Sequence, residues 1–127
     1  MASKSPYGDL VSSENVEGTN VYLATNSEKI GAINHLMIDK RSGRVAYAVM
    51  TFGGFLGLGE NEYPVPWNAL TYDTNLEGFV TRITADQLKS APTLVAEHTW
   101  NDRAWETKLH QHYGTPTYWE TGPRPVM

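Results

Sequence analysis

Arg44-Val45-Ala46-Tyr47-Ala48-Val49-Met50-Thr51-Phe52 is the stretch that decides the architecture. It is built of β-branched, aromatic and small side chains without a proline, the composition of a strand. Its peculiarity is that both parities are apolar. Val45, Tyr47 and Val49 lie on one face, and Ala46, Ala48, Met50 and Phe52 on the other. A strand with one wet face alternates more cleanly. The core therefore takes one side, and a C-terminal helix or a second subunit has to cover the other.

The flanks repeat the pattern in shorter pieces. Lys40-Arg41-Ser42-Gly43 closes a hairpin back to Lys29–Asp39, an apolar-rich run in which Gly31 marks a bulge or a bend. Before it, Asn20–Ala24 alternates Val21 and Leu23 with polar neighbours, and Thr25–Glu28 is a turn. On the other side, Gly53–Glu60 is a glycine-rich loop and Glu62–Val65 a short strand ended by Pro66. Trp67–Leu70 makes one turn, and Thr71–Asp73 with Gly78–Ile83 forms a last hairpin. Thr84 and Gln87 are spaced as a capping box for a helix to about Ser90, stopped by Pro92. Short strands with frequent turns and no crossover helices favour a small antiparallel β-barrel over a parallel sheet.

Residues 1–9 read as a flexible lead-in, 10–92 as the barrel, and 93–127 as an extension with a helix at about 101–113. That helix has Asn101 or Thr99 as its cap. Trp105, Leu109 and Tyr113 share one face, and Gly114 with Pro116 stops it.

Bulk properties narrow the function. A chain of 127 residues has room for one core, and 40% apolar with 19% charged residues is globular composition. A net charge of −4 argues against broad nucleic-acid or anionic-membrane binding, so no nucleic-acid partner is expected. Without cysteine there are no disulfides, thiolate metal sites or cysteine nucleophiles. No apolar run approaches the roughly 18 residues of a membrane span. With no secretory signal visible, a cytoplasmic location is expected.

Gly18–Tyr22, Glu28–Gly31, Leu36–Asp39, Gly43–Val49, Phe52–Gly57 and Pro64–Trp67, in this order and spacing, resemble the PRC-barrel family. That family is named for the cytoplasmic domain of the photosynthetic reaction-centre H subunit, and it also includes a domain of the ribosome maturation factor. The resemblance spans roughly residues 10–92 and is nearest to the stand-alone bacterial members. It implies a compact, strongly bent antiparallel β-barrel that works by binding. Fold does not carry a specific function with it.

The residues themselves offer little chemistry. Gly54–Gly59 has P-loop spacing, but Glu60 and Asn61 stand where Lys and Ser/Thr are needed, and a carboxylate there repels phosphate. His110 and His112 lie about 200° apart on a helix, and no HExxH motif occurs. His98 with Asp102, and Glu106 with His110, do have i, i+4 spacing. Polarity on an exposed helix face is the simpler account of these, and no metal or cofactor is expected. His35, between Asn34 and Leu36 in a strand, reads as a structural or interface histidine. No G-x-S-x-G elbow is present, and the acids Asp39, Glu60, Glu62 and Asp73 sit at turn edges. No catalytic residue is expected. Lys40, Arg41 and Arg44 form a small basic patch on one hairpin.

The expectation is a non-catalytic interaction or scaffold module, forming a dimer or higher homo-oligomer and docking on a protein or membrane complex. Its contact surface is placed at Tyr47, Val49, Phe52, Phe55, Leu56, Leu58 and Trp67. A small-ligand or metal-binding barrel and a ribosome-assembly or RNA-associated factor are the alternatives.

Overall fold

In the computed structural model, residues 10–52, 62–91, 100 and 102–121 are described. Along the chain run α1 (Ser13–Val16), β1 (Asn20–Leu23), β2 (Lys29–Ile38), β3 (Val45–Thr51), β4 (Glu62–Pro66), β5 (Leu70–Asp73) and β6 (Gly78–Thr81). They are followed by α2 (Ala85–Ser90), α3 (Arg103–Tyr113) and α4 (Tyr118–Thr121), and a 3-10 turn at Trp67–Ala69 joins β4 to β5. The glycine loop, the lead-in 1–9 and the segment 92–99 lie outside the described residues.

The six strands form one sheet in the order β4-β3-β2-β1-β6-β5. Its two outer strands are consecutive in sequence, so the 3-10 turn bridges the sheet's ends and gives a barrel-like wrap. No ladder closes β4 onto β5 among the described residues. Four of the five pairings are antiparallel, as expected, and β1 with β6 is parallel. The β5–β6 hairpin delivers β6 to the open edge of β1, and the direction of its arrival sets the pairing. Side-chain periodicity carries no information on strand direction.

Local chemistry explains the bends. The β1–β2 register shifts between Val21 and Tyr22, with Val21 opposite Gly31 and Tyr22 opposite Lys29, so Ile30 is the extra residue. A Cβ at Gly31 would lie 2.8 Å from Cδ1 of Phe52, and glycine is what lets β2 pass so close. Two further shifts, at Ile33/His35 and Met37/Ile38, bend β2 against β3. At the sheet edge, Pro64 lies opposite Val49 and Pro66 opposite Tyr47. Proline cannot donate to a ladder, so it suits an edge strand and discourages another strand from adding there.

Both faces of β3 are buried. Met50 faces Ile33 across the β2 ladder and Ala48 faces Val65 across the β4 ladder. This side joins a core that includes Val21, Phe52, Tyr63, Leu70, Phe79 and Leu88. On the opposite side Tyr47 is 1% exposed and Val49 0%. Over Tyr47 the expected cover is supplied by the chain's own C-terminal helix, through Glu106 and His110.

That helix is punctuated as the sequence suggests, with one correction. Its cap is Asp102, whose carboxylate accepts the N–H groups of Ala104 and Trp105; Thr99 and Asn101 lie outside the described residues. Gly114 ends it at φ +70°, donating to the Gln111 carbonyl, while the Thr115 N–H reaches the His110 carbonyl at 3.0 Å. The expected box of Thr84 and Gln87 opens α2. The four-residue helices α1 and α4 are too short to show a period and were not anticipated.

Candidate functional site

Tyr47 is the point where the tail is fastened. Its hydroxyl donates to Glu106 Oε1 at 2.7 Å and lies 3.0 Å from His110 Nε2. With that proton committed to the carboxylate, the tyrosine oxygen accepts from Nε2–H. His110 Nδ1 then accepts the Thr115 hydroxyl proton, at 2.9 Å. The hydrogen-bond pattern thus assigns the histidine tautomer. A directed chain runs from Thr115 through His110 and Tyr47 to Glu106. Rings of Trp100, His110 and Tyr118 surround the Tyr47 ring at 5.2, 5.4 and 5.6 Å between centroids.

Glu106 and His110, read above as polarity on an exposed helix face, are 4% and 2% exposed. Their i, i+4 spacing does converge on one group, the Tyr47 hydroxyl. Burial raises the Glu106 pKa above the ordinary carboxyl value, opposed by the Tyr47 hydrogen bond and the Arg103 guanidinium. Burial, and then Glu106 itself, push the Tyr47 phenol far above its usual value. A phenol held so firmly in its neutral form acts as a hydrogen-bond bridge.

Beside this network a cleft of about 420 Å³ opens between the β2–β3 hairpin, the 3-10 turn and the tail. Arg41 and Arg44 come from the hairpin and Trp67 from the turn. Arg103 comes from α3, and Tyr118 and Trp119 from α4. The Arg103 guanidinium stacks 3.9 Å from the Trp119 ring centroid, donates to the Tyr118 hydroxyl at 2.9 Å, and meets Glu106 at 3.6 Å. Asp39 also borders the cleft. Its carboxylate accepts the Ser42 hydroxyl at 2.7 Å and the N–H groups of Arg41 and Ser42. The Ser42 bond leads the influences that hold its pKa below the usual carboxylate value.

The expected contact residues fall in three places. Tyr47, Val49 and Phe52 are interior, and Tyr47 and Phe52 belong to the core cluster. Trp67 is half-buried against Phe79, 5.3 Å between rings, and lines the cleft. Phe55, Leu56 and Leu58 lie outside the described residues.

The histidines are also placed. His35 Nδ1 lies 3.9 Å from Glu62 at the surface, and His112 Nε2–H donates to the Gln87 carbonyl at 2.7 Å, tying α3 to α2. Among the described residues no group of three or more His, Asp or Glu side chains is arranged to hold a metal ion. None of the described helices is long and apolar enough to cross a membrane.

Sequence reasoning missed Arg103, Glu106, His110, Tyr118 and Trp119 as one assembly. The Glu106–His110 spacing was the available signal, and a tyrosine in an otherwise aliphatic strand was the other half of it.

No curated protein matches the chain. A profile of the PRC-barrel domain matches residues 8–88, covering α1, all six strands and most of α2 and stopping short of α3 and α4. The match takes in well over half of the chain, and the chain belongs to the PRC-barrel domain family.

Proposed function

We propose that this chain is a non-catalytic interaction module that docks another protein through the cleft between its barrel and its tail helix. The observation behind this reading is the composition of the cleft wall. Arginine, tryptophan and tyrosine are the residue types that anchor protein interfaces, because they combine large contact area with directed polar groups. Here Arg41, Arg44, Arg103, Trp67, Tyr118 and Trp119 converge on one concavity.

Affinity capture from native cell extract, followed by mass spectrometry, tests it. Wild type is compared with an Arg41→Glu/Arg44→Glu double variant and with Lys89→Glu on α2 as control. The reading expects a partner held by wild type and the control and lost by the double variant. Identical captured sets for all three would count against it.

Self-association is the second reading, favoured by Ile38 and Tyr72, large apolar side chains that are 56% and 46% exposed. The two-sided strand argues for it less, since the tail packs on Tyr47 within one chain. Light scattering decides: a 14.2 kDa species at micromolar concentration removes this reading.

A further inference from the structure

We propose that the outer edge of β5 is a self-association site, where two copies of the chain pair their β5 strands antiparallel about a two-fold axis at Tyr72. The inference rests on self-association, the second reading given above, and assigns it a surface and a register.

The two edges of the sheet differ in chemistry. β4 carries Pro64 and Pro66, which cannot donate to an incoming strand. β5 is Leu70-Thr71-Tyr72-Asp73, with no proline or lysine, and its register against β6 runs without a bulge. A regular edge built of β-prone residues and left unguarded is a template for another strand. Among the described residues β5 pairs with β6 alone. The turn Trp67–Ala69 joins β4 to β5 at Leu70, which is buried. Thr71 and Tyr72, the next two residues, are both exposed, although a strand points them to opposite faces. The edge is therefore accessible on both faces from Thr71 onward. The Tyr72 ring packs against the buried Phe79 ring at 5.3 Å between centroids, so the apolar face of the core runs out to this edge and ends there uncovered.

Symmetry limits how a second copy can add. Directly opposed residues of an antiparallel pair share a face, and successive residues alternate faces. A two-fold pairing of identical strands must then place one residue opposite its own copy. Centred on Thr71, the pairing would draw on buried Leu70 and on Ala69 of the 3-10 turn. Centred on Tyr72, it uses the exposed residues. The two Tyr72 rings meet and extend the apolar face, and Thr71 of each copy stands opposite Asp73 of the other. No like charges are directly opposed in this register, and the Thr71 hydroxyl gains a carboxylate acceptor. That carboxylate is already positioned by its own turn, where Asp73 Oδ1 accepts the N–H groups of Asn75 and Leu76 at 2.8 and 3.1 Å.

The chain contains no cysteine, so one introduced thiol reports one contact. Tyr72→Cys, Thr71→Cys and Ile38→Cys variants of the full chain are equilibrated in a glutathione redox buffer and run on a non-reducing gel. Wild type and Tyr72→Lys are followed by light scattering over a concentration series. In the Tyr72-centred register the two 72 positions lie about 4.5–5.5 Å apart at Cα, within disulfide reach, and the two 71 positions lie beyond the roughly 7 Å limit. Tyr72→Cys should therefore give about tenfold more covalent dimer than either other variant. Wild-type mass should rise from 14.2 kDa towards twice that value on concentration, and Tyr72→Lys should stay at 14.2 kDa with an unchanged circular-dichroism spectrum. A dimeric wild type with cross-linking strongest in Ile38→Cys, or equal in all three, would leave self-association standing and overturn the β5 edge. Cross-linking strongest in Thr71→Cys would overturn the register. A wild type that stays monomeric at every concentration, with no cross-linking, would remove both the inference and the reading beneath it.

Discussion

The Tyr47 hydroxyl and the Glu106 carboxylate meet at 2.7 Å across 59 positions of sequence, and this contact joins β3 to the tail helix. It satisfies two buried polar groups together and positions the third, His110. The tail is therefore specified by a polar lock within an apolar contact, and each of its parts can be removed separately.

Tyr47→Phe removes only the bridging hydroxyl. Glu106 and His110 then lose their shared partner in a buried setting, which costs roughly 1–3 kcal/mol. Tyr113→Phe is the contrast. The Tyr113 hydroxyl is buried with no hydrogen-bond partner among the described residues, so its loss should leave stability unchanged or slightly higher. Urea denaturation of both variants checks the pair, and equal losses would contradict the assignment.

Glu106 should also give the fold a pH signature. Its pKa is raised in the folded chain because burial disfavours the charged form. The folded state thus binds a proton more readily than the unfolded one. This contribution to stability is fully present below the ordinary carboxyl range and is lost as pH rises through the elevated folded value. Glu106→Gln keeps an acceptor for Tyr47 without the charge. Wild type should therefore gain on Glu106→Gln as pH falls from 7 to below 4.5. Melting temperatures at several pH values would show it, and a gap that stays constant would refute it.

Gly31→Val tests the bend. A branched side chain there meets the Phe52 ring and backbone of β3, at a position where even a Cβ sits 2.8 Å from Cδ1. A destabilisation of about 1–3 kcal/mol follows for an overpacked site. A thermal melt equal to wild type would show that β2 does not approach β3 so closely.

Removing residues 92–127 uncovers Tyr47 on the outer side of β3. The truncated barrel should form larger species than the full chain at equal concentration in light scattering. Equal masses would mean that the tail is not what shields this strand.

The barrel was legible because its information is local. The strand Val45–Thr51, the bulge beside Gly31, the box of Thr84 and Gln87 and the Gly114 stop each follow from neighbouring residues. The need for a cover over β3 was legible too, from its double apolar parity. The identity of the cover was left between a helix and a second subunit, since parity shows that a face is buried without showing by what. The cleft was hidden for a similar reason. Arg44, Trp67 and Trp119 come from three separate parts of the chain, and only the docking of α3 brings them together. The parallel pairing of β1 with β6 likewise depends on how a hairpin arrives.

Amide hydrogen exchange on the intact chain tests most directly whether the tail is locked onto the barrel by Tyr47. The account predicts slow exchange in both β3 and α3, with protection in α3 falling in Tyr47→Phe while β3 keeps most of its own. Exchange of α3 at unprotected rates in the wild-type chain, beside a protected β3, would contradict it.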